Sequence, residues 1–199
     1  MRGATGIALS RLESHRMNRN HGGALPEPVS SFEHLVLPHL EAGYNLARWL
    51  LRDDHDAEDV MQDAVVRAFR FFEGFRGDNP RAWLLSVVRN RAYTFLQQNR
   101  ARELATEFDE ELHVEPAEDE TPEVLLLRSA RQRVLNEALE ALPIEFREVF
   151  VLREIEGLSY REIADLAQVP IGTVMSRLSR ARRQLKVAVA KRELNGSAS

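Results

Sequence analysis

Residues 159–186 read SYREIADLAQVPIGTVMSRLSRARRQLK, and the fold is decided by how this stretch is periodic. Ser159-Tyr160-Arg161-Glu162 has the form of a capping box, in which a hydroxyl and a carboxylate satisfy two orphan amides of a first helical turn. It predicts a short helix carrying Ile163, Ala164 and Leu166 on its inner side. A break follows at Gln168-Val169-Pro170-Ile171-Gly172, and beyond it Val174, Leu178, Ala181, Leu185 and Ala188 recur at helical spacing. Met175, Ser176, Ser179, Arg180 and Arg183 form the adjacent outward stripe, flanked by Arg177, Arg182 and Lys186. A capped brace helix, an abrupt break and a longer basic helix are the parts of a helix-turn-helix, whose second helix lies in the DNA major groove. Arginine there can bond guanine in bidentate fashion, and the flanking cations suit phosphates. The plainer alternative, a solvated basic helix, leaves the preceding capped helix and the break without a purpose.

Upstream of this stretch, Leu127, Val134, Leu135, Ala138 and Leu142 predict one helix face, and Phe146, Val149, Phe150 and Ile155 a second. Gly157 is placed to end that second helix. Residues 103–124 hold ten acids, no base and two prolines, which reads as a flexible linker. Fully extended, its 22 residues reach about 70 Å. An earlier helical block begins at Ser31. Val36, Leu40, Tyr44, Ala47 and Leu51 share one face, with Pro38 either kinking that helix or opening it. In DAEDVMQDAVVRAFRFF (56–72) the stripe is Ala57, Val60, Met61, Ala64, Val65, Ala68 and Phe72. Asp56, Glu58 and Asp59 lie in its first turn, where they complement the helix dipole. A loop through Gly74, Gly77, Asp78 and Asn79 leads to Pro80, which suits the first turn of a third helix, PRAWLLSVVRNRAYTFLQQNR. Its expected inner face is Leu84, Val87, Val88, Ala92, Phe95 and Leu96. Residues 1–30 and 191–199 read as disordered tails, with Met17 a second candidate start. The expected architecture is all-α: two small helical domains, 31–102 and 125–190, joined by the acidic linker at 103–124.

The chain has 199 residues, 44% of them hydrophobic, and a net charge of −4 that conceals strong segregation. Residues 80–102 carry +5 with no acid, 103–124 carry −10, and 173–199 carry +6. Two basic blocks divided by an acidic one predict two anion-binding surfaces, so the mild overall charge is compatible with nucleic-acid binding. In the first basic block, arginines interleave with Trp83, Tyr93 and Phe95, a composition suited to single-stranded nucleic acid, although Trp83 and Phe95 are also core candidates. No apolar run approaches the roughly 18 residues of a membrane span. Absence of cysteine excludes disulfides, Cys-based zinc sites and thiol catalysis. The acids Asp56, Glu58, Asp59 and Asp63 lack further ligands at a metal-binding spacing, and His34 and His39 do not share a helix face. Gly-rich phosphate loops, nucleophile elbows and paired catalytic carboxylates are not found. No metal, cofactor, small-molecule substrate or enzymatic activity is expected.

Residues 56–93, DAEDVMQDAVVRAFRFFEGFRGDNPRAWLLSVVRNRAY, resemble region 2 of bacterial RNA polymerase sigma factors. Residues 142–185, LPIEFREVFVLREIEGLSYREIADLAQVPIGTVMSRLSRARRQL, resemble region 4. Two such regions and a short linker resemble the extracytoplasmic-function (ECF) subfamily, a likeness that covers about Phe32–Arg102 and Leu125–Val189. The resemblance implies a transcription-initiation factor that binds core RNA polymerase, at the clamp helices of the largest subunit and at the flap. It further implies recognition of two promoter elements and melting of one. On it, Asp59, Gln62 and Asp63 would meet the clamp helices. Phe75, Arg76, Gly77, Asp78, Asn79 and Arg81 would capture a base flipped from the minus-ten element, with Asn90 and Arg91 on the same strand. Met175, Ser176, Ser179 and Arg180 would face the minus-thirty-five bases, with Thr173, Arg177 and Arg183 completing that contact. An anti-sigma factor is an implied partner, and a cytoplasmic location, held near the membrane when that partner is membrane-bound, is the implied address. A helix-turn-helix regulator acting alone is the competing reading; it would bind duplex DNA tightly without polymerase.

Overall fold

The computed structural model describes residues 27–75, 77–105 and 133–196, and every regular element among them is helical. The chain divides into two compact units, Met1–Thr106 and Glu107–Ser199.

In the first unit, α1 (Glu27–Leu35) starts earlier than the helical pattern at Ser31 and inside the expected N-terminal tail. Pro38 takes a first-turn position, one of the two expected alternatives, and does not kink a continuous helix. It sits in a separate 3-10 turn, Leu37–His39, between α1 and α2 (Leu40–Leu51), because proline's missing amide breaks the ladder there. Helix α3 (Asp54–Phe71) is capped by Asp53, whose carboxylate accepts from the Asp56 amide at 2.8 Å. Its expected stripe, Ala57 through Ala68, is buried throughout, whereas Phe72 is half-buried. Helix α4 (Pro80–Ala105) packs against both α2 and α3. Contact with two neighbours moves its buried face to Leu84, Leu85, Val88 and Ala92, and leaves Val87, Phe95 and Leu96 half-exposed, contrary to the expected inner face. The three helices approach closely at Gly43, where a Cβ would stand 2.8 Å from Met61 Cε and 3.3 Å from Val88 Cγ2. Phe32 closes the end of the bundle, edge-on to Phe69 at 5.2 Å and Phe72 at 5.3 Å. Such aromatic pairs are worth about 0.5–1.5 kcal/mol beyond the area they bury.

The second unit begins with α5, described over 133–140, followed by α6 (Ile144–Phe150), which widens into a π-helical turn at Val151–Ile155. The wider turn advances the register, so Val151 and Leu152 are buried and Ile155 is 46% exposed rather than inside. Leu135 is also exposed, and Phe146 and Phe150 are half-buried. Gly157, at φ +69, ends this segment as expected. Helices α7 (Tyr160–Ala167) and α8 (Ile171–Gly196) follow. The second unit also buries Arg147 and Glu148, and an Arg147 Nη1 donates to the Glu140 carbonyl at 2.6 Å. Helix α8 runs to Gly196, through most of the expected C-terminal tail, because Ala190, Lys191, Arg192, Glu193 and Leu194 are good helix formers and neither glycine nor proline occurs among residues 187–195. The acidic linker lies outside the described residues, apart from its first helical residues in α4. No helix among the described residues is long and apolar enough to cross a membrane.

Candidate nucleic-acid interface

In the second unit the capping box is formed in both directions: Ser159 Oγ accepts from the Glu162 amide at 3.2 Å, and Glu162 Oε2 accepts from the Ser159 amide at 2.8 Å. The Arg153 guanidinium lies 4.9 Å from the centroid of the Tyr160 ring and donates to the Leu158 carbonyl at 2.7 Å, which fastens the start of α7 to the π turn. Gln168 takes the left-handed conformation, φ 54, and Val169 donates back to the Ala164 carbonyl, so the chain reverses within a few residues. Pro170 then supplies the carbonyl that starts α8, accepting from Thr173 at 2.8 Å and from Val174 at 3.2 Å.

Once α8 is seated, its two faces separate as the sequence predicts, except that Ala188, expected inside, is only half-buried. Val174, Leu178, Ala181 and Leu185 are buried against α6 and α7. Met175 is 52% exposed, and Ser176, Ser179, Arg180 and Arg183 are exposed beside it, with Thr173 and Arg177 half-buried. Two side chains have internal partners. Ser176 Oγ donates to the Thr173 carbonyl at 3.0 Å, leaving its oxygen lone pairs outward as acceptors. Arg182, expected among the phosphate contacts, instead donates from Nη2 and Nε to Glu154 Oε1 at 2.5 and 3.2 Å. That carboxylate raises the guanidinium's pKa further and binds Arg182 to the π turn. Arg180 and Arg183 form no ion pair among the described residues.

In the first unit the loop before α4 is an aromatic shelf. The Phe75 ring centroid lies 5.0 Å from that of Trp83 and 6.2 Å, stacked, from that of Phe72. A Cβ at Gly77 would stand 3.1 Å from the Phe75 ring, so glycine lets the chain cross close over that ring. Asn79 caps α4: its Oδ1 accepts from the Ala82 amide at 3.0 Å and its carbonyl from the Trp83 amide at 3.1 Å. Gly77, Asp78 and Asn79 are exposed and Arg81 half-buried, while Arg76 lies outside the described residues. His39 stands near this end; its burial and then the Arg81 charge hold its pKa below the ordinary histidine value.

Asn90 is exposed further along α4, but Arg91 is turned the other way. Its Nη2 bonds Asp63 Oδ2 on α3 at 2.5 Å, so the structure groups Arg91 with Asp59, Gln62 and Asp63 rather than with the loop. These residues, with Phe95 and Arg102, line a depression of about 300 Å³ between α3 and α4. On the opposite flank of α4, Arg89 lies over the Tyr93 ring at 4.5 Å from its centroid, a pair that the sequence offers only as an i, i+4 spacing. Among the described residues no cluster of acids and histidines is arranged to hold a metal ion.

Comparison with known proteins fits this division. The family model for sigma-70 region 2 matches residues 35–102, and that for sigma-70 region 4 matches residues 132–185. The ECF RNA polymerase sigma factor SigE of Mycolicibacterium smegmatis is 37% identical over 163 residues, 82% of this chain and 63% of that protein, so the match spans just under two thirds of that relative. The RNA polymerase sigma-H factor of Pseudomonas aeruginosa is 33% identical over 170 residues, which cover 80% of this chain and 86% of its own. Among solved structures, the sigma factor RpoE of Bartonella quintana, crystallised with the anti-sigma factor NepR, matches with a TM-score of 0.68 and 28% identity. That match covers 80% of this chain and 97% of RpoE.

Proposed function

The chain belongs to the ECF sigma factors of bacterial RNA polymerase, and from that membership we propose how its two units divide promoter recognition. The α3 face bearing Asp59, Gln62 and Asp63 docks on the clamp helices of core polymerase. The aromatic shelf with Phe75, Arg76, Gly77, Asp78, Asn79 and Arg81 receives a base flipped from the minus-ten element, and Asn90 meets the same strand. Extruding that base costs a few kcal/mol, so a pocket that holds it favours melted DNA and sets where the bubble opens. Arg91 holds the docking face in shape through Asp63 and contributes to DNA contact only indirectly. In the second unit the α8 stripe of Thr173, Met175, Ser176, Arg177, Ser179, Arg180 and Arg183 enters the major groove at the minus-thirty-five element.

The observation that carries this reading is the α8 stripe itself, with Met175, Ser176, Ser179, Arg180 and Arg183 exposed above a buried Val174, Leu178, Ala181 and Leu185 and preceded by a capped brace helix. The protein is a binding module; the bond-forming chemistry belongs to the polymerase. It works in the cytoplasm, where core polymerase and DNA are. An anti-sigma factor is its regulatory partner, by analogy with the RpoE relative that was crystallised with one. The test is run-off transcription with core polymerase on fragments from the gene's own upstream region. A discrete start that appears only with the protein supports the reading. Binding to duplex promoter without core polymerase, at the same affinity as with it, would place the lone regulator first.

A further inference from the structure

The exposed side of α8 is not uniform. At about 100° per residue, Ile171 and Met175 lie about 40° apart on one edge of the outward stripe. Ser176 and Arg180 lie about 100° and 140° round the helix from Met175, on the other edge. The stripe therefore has an apolar edge and a polar edge, with Ser179 between them. Met175 is 52% exposed and Ile171 is 45% exposed, although Ile171 falls on the side of the buried row that holds Leu178. Both stand at the start of α8, the part of a recognition helix that reaches base edges. Gly172 lies between the two edges in the same turn. A Cβ there would meet nothing within 4 Å, so the chain's own packing does not require glycine, and glycine inside a helix is less favourable than alanine. What a bare first turn permits is close approach from outside.

We propose that Ile171 and Met175 read the 5-methyl group of thymine in the minus-thirty-five element, and that Gly172 lets the base edges come within reach of both. This deepens the reading of α8 as the minus-thirty-five helix and rests on it. In the major groove the base pairs present hydrogen-bond donors and acceptors, which Ser176 and Arg180 can meet, and one apolar group, the thymine methyl. Neither the Ile171 nor the Met175 side chain can donate to a phosphate, and both gain by leaving water against another apolar group. Met175 is unbranched and polarisable, so it can adjust to a single methyl, while Ile171 presents a stiffer branched surface beside it. The two edges of the stripe thus divide the element: bases read through their acceptors lie under Ser176 and Arg180, and thymine lies under Ile171 and Met175.

The experiment measures holoenzyme binding to duplex fragments carrying the promoter that run-off transcription maps. The fragments differ only at the minus-thirty-five element: intact, scrambled, or with every thymine of that element, on both strands, replaced by deoxyuridine. Uracil keeps the pairing and the O4 acceptor and lacks only the methyl. The replacement is expected to weaken binding by the unmodified protein about fourfold per contacted methyl, the scale of burying one CH2-sized group. Ile171→Ala/Met175→Ala should lose at least that much on the thymine fragment and bind the thymine and uracil fragments alike. Met175→Leu should keep the preference, and Arg180→Ala should weaken binding while leaving the thymine-to-uracil ratio unchanged. Gly172→Ala should bind the intact element several-fold more weakly, with a denaturation midpoint no lower than that of the unmodified protein. Equal binding of thymine and uracil fragments by the unmodified protein would overturn the proposal, as would an undiminished preference in Ile171→Ala/Met175→Ala. Unchanged binding by Gly172→Ala, or a loss that comes with a lower midpoint, would overturn the part given to Gly172. An unmodified holoenzyme that does not distinguish the intact element from the scrambled one would instead refute the minus-thirty-five reading itself.

Discussion

Three arginines within four residues of α8, Arg180, Arg182 and Arg183, are indistinguishable by composition but not by structure. Arg182 donates twice to Glu154 Oε1, at 2.5 and 3.2 Å, whereas Arg180 and Arg183 stand exposed with no ion pair among the described residues. Base edges are read by the N-terminal part of a recognition helix. Arg180 lies about 14 Å along α8 from Ile171 and Arg183 about 18 Å, at 1.5 Å per residue, which puts Arg183 toward the rim of the groove. Arg180→Ala is therefore expected to cost about 1–3 kcal/mol, some 5- to 150-fold in affinity, and only on promoters with an intact minus-thirty-five element. Arg183→Ala should weaken all promoters alike and reduce the salt slope by about 0.9, the share of one phosphate contact. Arg182→Ala should leave affinity and slope unchanged and lower thermal stability by at most about 1 kcal/mol, because the Arg182 and Glu154 side chains are 52% and 36% exposed and water screens the pair. The assay is holoenzyme binding to intact and scrambled minus-thirty-five fragments at three salt concentrations, with melting curves of each variant. If Arg182→Ala reduces the salt slope as much as Arg183→Ala, the Glu154 pair opens on DNA and the assignment of Arg182 to structure is wrong.

Further expectations concern the scaffold. Ser159→Ala should destabilise the protein by about 1 kcal/mol, and Glu162→Ala should add less than its single effect to that variant, because each residue completes the other's half of the box; additive losses in denaturant titrations would contradict a coupled box. Gln168→Gly should stabilise by about 0.5–1 kcal/mol, since a left-handed residue other than glycine costs about 1–2 kcal/mol and glycine's extra unfolded freedom returns part of that; a lower denaturation midpoint would refute it. His39 has a folded pKa below its ordinary value, so the folded state binds fewer protons than the unfolded chain across that interval. Its contribution is fully present above the ordinary histidine range and declines as pH falls through it toward the lowered value. Melting curves from about pH 8 to pH 5 should therefore slope downward with acid, and His39→Asn should flatten the slope; equal slopes in both proteins would show that another group titrates.

How much of this was legible in the sequence depended on how many neighbours an element has. Helix α8 lies over one side of its unit, so a single apolar stripe described it, and Val174, Leu178, Ala181 and Leu185 are all buried. Helix α4 packs on two helices at once, which spreads its buried face and puts Leu85 inside in place of Phe95. The π turn after α6 inserts a register change that no fixed period can follow, which carried Ile155 outward. Arg147 and Glu148 are buried despite their charge, and neither apolar periodicity nor composition marks such positions. The stop at Gly157, the capping box and the turn at Gln168 were legible because each is local chemistry, set by residues a few positions apart.

Partners across long sequence separation were not legible, and they shape the candidate site most. Asp63 and Arg91 are 28 residues apart, and from the sequence alone one was assigned to polymerase and the other to DNA. Their bond merges them into one feature on the flank of α4 that faces α3. The side of α4 toward α3 has thus spent an arginine on a carboxylate, so the charge it presents is set by pairing as well as by position. Segregation of this kind cannot come from net charge, which is the same whichever arginine is paired. If Asp63→Ala both weakens core binding and increases non-specific DNA binding by the freed Arg91, the two flanks are coupled through that bond; weaker core binding with DNA affinity unchanged would mean that Arg91 stays turned away from DNA without it.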